Sequence, residues 1–124
     1  MIRAVRGAIT VERDEPEEIL EATEELLRAV VEVNRIREDA AVSILFTLTP
    51  DLSSAFPAAA ARRMGWTDTP LMCAGEIPVP GALGRCIRLL MHFDTKLPKS
   101  DVRHVYLGDA ISLRPDLVEG GNSK

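Results

Sequence analysis

Arg88 is the residue whose place in the sequence asks most for a chemical explanation. It lies inside Cys86-Ile87-Arg88-Leu89-Leu90, an apolar stretch in which an unpaired guanidinium is costly to bury. Two roles suit it. One is a structural ion pair with a nearby carboxylate; the other is recognition of an anionic ligand, for which the planar guanidinium fork is well shaped. Arg6 occupies the off-core parity of another apolar strand pattern, Ile2 to Glu12. Two such arginines with no counter-charge nearby in the sequence favour the anionic ligand.

The other reactive side chains are scattered. Glu76 follows a short apolar run and precedes Ile77-Pro78-Val79-Pro80-Gly81; it reads as a solvated loop carboxylate or a site group. Tyr106 is the only tyrosine, and if buried its hydroxyl needs a partner. Cys73 and Cys86 have no zinc or redox spacing, and His92 and His104 form no metal-binding pair. The sequence contains no GxSxG, Walker or GxGxxG motif. A structural metal is not expected, and an enzyme built on these groups works by electrostatics and positioning rather than covalent chemistry.

The elements that must carry these groups follow from periodicity. Ile2 to Glu12 alternates as a strand, with Val5, Ile9 and Val11 inward and Ala4, Arg6, Ala8 and Thr10 opposite. Asp14-Glu15-Pro16-Glu17 resembles a helix start with Asp14 as N-cap. From there Ile19, Leu20, Thr23, Leu26, Leu27, Val30 and Val33 recur at helical spacing to about Asn34. Val42 to Thr49 is apolar on both faces and predicts an interior strand. Pro57 to Met64 is an Ala-rich helix with Pro in its first turn and Gly65 at its stop. Leu71 to Ala74 is a short strand. Arg85 to Thr95 is the clearest strand: Ile87, Leu89, Met91 and Phe93 share one face, Cys86, Arg88, Leu90 and His92 the other. Val105 to Leu107 is extended, and residues 118–124 read as a flexible tail after a single domain over 1–117. The order β-α-β-α-β-β implies a two-layer α+β (α/β) domain, a mixed sheet with helices on one face. Two helices cover only one side. The opposite face, too apolar for water and too charged for a core, calls for closure by other copies of the chain.

Composition narrows the function. The 124 residues carry 15 Lys plus Arg against 19 Asp plus Glu, a net charge of -4, and 46% are hydrophobic. The acidic excess lies in residues 1–40, where 11 acidic residues face 6 basic ones, and reads as a solvated helix face. A pI near 5.2 with no basic, aromatic-laced patch argues against nucleic-acid binding. No apolar run is long enough to span a membrane, and the first residues lack a signal-peptide core, so a cytoplasmic protein is expected.

Seven blocks in order carry a family resemblance: Arg6-Gly7-Ala8-Ile9-Thr10-Val11-Glu12, Thr49-Pro50-Asp51-Leu52, Phe56-Pro57-Ala58, Cys73 with Glu76, Cys86-Ile87-Arg88, Arg103-His104-Val105-Tyr106-Leu107, and Leu113-Arg114-Pro115-Asp116-Leu117. Over residues 1–117 the chain closely resembles the monofunctional chorismate mutases of the AroH class. The resemblance implies a homotrimeric pseudo-barrel with active sites at subunit interfaces. It also implies the cofactor-free Claisen rearrangement of chorismate to prephenate, on the way to phenylalanine and tyrosine. By resemblance Arg88 is the cation at the ether oxygen, and Arg6 and Tyr106 bind the substrate carboxylates. Glu76 and Cys73 meet the ring hydroxyl and its surroundings, and the segment Met72, Cys73, Ala74, Gly75 and Glu76 lines the ring. Phe56 and Arg62 form a lip from the adjoining subunit, and Arg114 with the tail closes the mouth. The chain departs from the pattern at Ala59, where a lysine is common, and at Met72, where a threonine is common; the helix near Arg62 is also one residue shorter. The rival readings are a trimeric small-carboxylate binder or deaminase-like protein, a regulatory subunit without turnover, and a purely structural trimer.

Overall fold

The computed structural model describes residues 1–113. Five strands and two helices alternate along them: β1 (Ile2–Thr10), α1 (Pro16–Asn34), β2 (Ala41–Leu48), α2 (Pro57–Arg63), β3 (Leu71–Gly75), β4 (Cys86–Asp94) and β5 (Val105–Leu107), with short 3-10 turns between. The expected strand and helix order is met, and Val105–Leu107 adds a fifth strand to the sheet. Residues 114–124, including Arg114 and the expected tail, lie outside the described residues.

The strands order as β3-β2-β4-β1-β5. β4 pairs antiparallel with β1 and β2, while β5 joins β1 and β3 joins β2 in parallel. This mixed sheet has one dry face. Val5, Ile9, Ile44, Phe46, Ile87, Leu89, Met91 and Phe93 pack there against Ile19, Leu26, Leu27 and Val30 of α1 and Ala58 and Ala61 of α2. α1 approaches β1 closely at Gly7, where an added Cβ would meet Leu26 Cδ1 at 3.0 Å and Val30 Cγ2 at 3.1 Å. α2 is tied to α1 by Arg63, which pairs with Glu17 and Glu24.

The start of α1 differs from the sequence expectation. Its N-cap is Glu15, which makes no side-chain cap bond. Asp14 instead accepts bonds from the backbone N–H groups of Ser53 and Ser54, at 3.0 and 3.1 Å, and from both their hydroxyls. Those four bonds hold its carboxyl below the usual range, the Ser54 hydroxyl contributing most. They also anchor the loop leading to Phe56 and α2.

Candidate active site

The face of the sheet away from the helices carries the candidate chemistry. Because β-strand side chains alternate, register alone places one transverse row across it: Ala74 on β3, Thr47 on β2, Arg88 on β4, Ala8 on β1 and Tyr106 on β5. The next row holds Met72, Leu45, Leu90 and Arg6. Arg88 therefore stands on the middle strand, held on both sides by paired backbone.

Arg88 has a counter-charge that its sequence neighbourhood did not show. Its Nε lies 3.2 Å from Oε2 of Glu76, whose side chain is only 16% exposed against 42% for Arg88. Glu76 is thus no solvated loop carboxylate. Its backbone N–H donates to the Leu48 carbonyl at 2.9 Å, extending the β2–β3 ladder by one bond. The Thr47 hydroxyl donates to the same Oε2 at 2.5 Å. The Arg88 Nε–H is buried and not aligned with any acceptor, so its contact with Glu76 is electrostatic.

Below this pair sits a small dry patch. Cys86, fully buried, packs with Ala8, Tyr106 and Ala110. Burial pushes its thiol up to about 11, against a smaller opposing pull from Arg88. Tyr106, 7% exposed, is fixed in this patch, separated from Arg88 across the sheet by Ala8 alone. Arg6 is exposed on the same face, and its backbone N–H donates to Nδ1 of His104 at 3.0 Å.

β5 is held in turn by buried Asn34 at the end of α1. Its amide nitrogen donates to the carbonyls of Val30 and Arg103, and its oxygen accepts the Arg103 N–H at 2.7 Å. Asn34, Thr47 and His104 were not singled out as site residues in the sequence. For Asn34 the one available signal was a polar residue at a core position of the α1 stripe.

Cys73, Phe56 and Arg62 lie elsewhere. Cys73 is level with Phe46 in the β2–β3 pair, so its side chain turns to the helix side and packs on the main core. Its backbone remains available. In the parallel ladder Ile44 donates to Pro70 and Glu76 donates to Leu48, so alternation leaves the N–H and C=O of Cys73 on the free edge of β3. Phe56, Arg62, Met72 and Cys73 border a separate cavity of about 290 Å³ at that edge, which neither Arg88 nor Glu76 lines. Phe56 is 70% exposed and Met72 67%. Gly75 is exposed at the end of β3.

The open face of this two-layer α+β sheet thus presents a fixed guanidinium–carboxylate pair, an arrangement able to act on a ligand through held charge. Comparison with known proteins makes this specific. The family described as chorismate mutase type I matches residues 2–117. The chain is 52% identical over 118 residues to the chorismate mutase AroH of Thermus thermophilus, covering 94% of this chain and 97% of that one. It is 47% identical to the AroH protein of Bacillus subtilis, covering 94% and 93%. A solved chorismate mutase from Clostridium thermocellum superimposes with a TM-score of 0.88 at 51% identity, covering 89% of this chain and 98% of that one. The chain belongs to the chorismate mutase type I family, and its reaction class is that of an isomerase.

Proposed function

We propose that the chain rearranges chorismate to prephenate at the Arg88–Glu76 centre, completed between subunits of a homotrimer in the cytoplasm. The reaction is unimolecular: the ether C–O bond breaks, a C–C bond forms, and no proton must move. What the protein supplies is a compact substrate conformer and a cation where negative charge grows on the ether oxygen. Arg88 suits that role. Nε faces Glu76, while the half-exposed side chain leaves its terminal nitrogens for the ligand. The mid-strand position limits its motion, so little reorganisation is needed as charge develops. Arg6 and Tyr106 flank the opening over Ala8 and take the carboxylates of the dianion. Glu76 accepts from the substrate hydroxyl, and Cys73 contributes through its edge backbone rather than its thiol.

The trimer is supported by what the subunit leaves open. Both helices cover one face. The other presents a shallow cavity of about 290 Å³ lined by Ser43, Leu45, Met72, Leu90 and His92. The lip of Phe56 and Arg62 stands apart from Arg88 within one chain, so a neighbouring copy is the natural source of the lip for each centre. Met72 and Ala59 supply neither a hydroxyl nor a charge, so recognition of the dianion falls on the arginines.

The observation that carries this reading is the Arg88–Glu76 pair on the open face of a chain of this family. The test is loss of chorismate absorbance, with prephenate identified by acid conversion to phenylpyruvate. Rapid turnover is expected, and Arg88→Ala is expected to lower kcat by at least about 10²–10³-fold, the usual effect of removing one preorganised donor. Near-native turnover in that variant would overturn the mechanism.

A further inference from the structure

We infer that Thr47 is a positioning residue for this reaction: its hydroxyl holds the Glu76 carboxylate at the angle that lets Glu76 serve both Arg88 and the substrate. The inference rests on the reading of Arg88 and Glu76 as the reactive centre.

Thr47 lies in the same transverse row as Arg88, its direct partner across the antiparallel β2–β4 pair. Side chains so placed are near neighbours on one face. Thr47 does not bond to Arg88, however; its Oγ1 donates to Glu76 Oε2 at 2.5 Å. The same oxygen faces Arg88 Nε at 3.2 Å, but that N–H is not aligned with it. Attraction between two charges constrains distance more than direction, whereas a hydroxyl donor selects one oxygen and one approach angle. The direction of the Glu76 carboxylate is thus set by Thr47. Because Thr47 occupies Oε2, Oε1 is left for a ligand donor.

The geometry also explains why Glu76 needs such help. It follows the last residue of β3 and precedes a loop with two prolines, Ile77-Pro78-Val79-Pro80, so the sheet fixes its backbone N–H but nothing beyond. Thr47 belongs to an interior strand and carries the rigidity of the sheet to a side chain at its margin. A strand threonine is ordinarily explained by β-branched packing. Here valine would pack as well but would leave Glu76 without its donor.

Thr47→Val keeps the branched shape and removes only the hydroxyl; Thr47→Ser keeps the hydroxyl. With chorismate as substrate, Thr47→Val is expected to lower kcat about ten- to a hundredfold, the range for losing one hydrogen bond to a charged group. KM should change less, and the melting temperature should stay near that of the parent. Thr47→Ser should restore most of the loss. The double variant Thr47→Val/Glu76→Gln should be no slower than Glu76→Gln alone, since Thr47 acts only through Glu76. If Thr47→Val retains full kcat while Arg88→Ala and Glu76→Gln lose theirs, the positioning role is wrong and the centre stands. If Glu76→Gln and Arg88→Ala are both fully active, the centre itself is wrong. Additive losses in the double variant would overturn the route through Glu76.

Discussion

Two cysteines that look alike in sequence part company once their strands are paired. Cys73 turns towards the helices, and its contribution to the site is confined to backbone, whereas Cys86 lies under Arg88 in a dry patch. A buried thiol raised to about 11, against an ordinary value of 9.0, has a definite consequence for stability. Below pH 9 both folded and unfolded chains keep the proton. As pH rises from there the unfolded thiol ionises first, so folding loses free energy until the folded group follows. The urea midpoint is therefore expected to fall between pH 9 and about 11, and Cys86→Ala should flatten that fall. An unchanged slope in the variant would remove Cys86 from the account. At this scale the sequence was half legible. Arg88, Arg6 and Tyr106 were conspicuous because a charge or a lone phenol in an apolar stretch demands an explanation. The pairing of Arg88 with Glu76 was hidden, since it runs over an intervening strand, and local spacing carries no record of which strand lies between.

At the scale of elements, local pattern identified β1, β2, β4 and both helices within a residue or two: alternation marked β1 and β4, a continuous apolar run marked β2, and helical spacing and Pro/Gly punctuation marked α1 and α2. Asp14 misled for a physical reason. Its place before Glu15-Pro16 suits an N-cap, yet serines 39 and 40 positions away supply better-placed donors. Tertiary partners outbid local ones, and no local pattern announces them. Gly7 shows the reverse, a small residue whose purpose emerges only from packing. The helix α1 rests on it, with Leu26 and Val30 at 3.0 and 3.1 Å from an added Cβ, closer than ordinary van der Waals contact. Gly7→Val should push α1 off the sheet and cost about 1–3 kcal/mol, as overpacking a close contact does. Thermal unfolding would show it as a lowered Tm. Because Arg6 is next in the chain, kcat/KM should fall as well, and a variant with unaltered Tm would show that α1 has room to move.

For the whole molecule the open sheet face is the decisive feature. A subunit of 13.6 kDa that leaves this surface bare should be found in solution at three times that mass. Light scattering would decide it, and a single monomer peak would remove the interface site from the proposal. The sequence made the need for a covering partner readable through strand parity, whereas the number of copies came only from family resemblance. Among the described residues no helix is long and apolar enough to cross a membrane. The strand order has one more consequence. β1, made first, lies between β4 and β5, made last, with its residues 2–10 paired to residues 86–94 and 105–107. On the ribosome the first strand therefore waits with both edges unpaired until β4 emerges, after more than two-thirds of the chain, and with one edge still open until β5 follows. Only α1 can shelter it meanwhile. The nascent protein thus completes its sheet late, and of the five strands the one that carries Arg6 waits longest for its partners, giving chaperones the longest access to it.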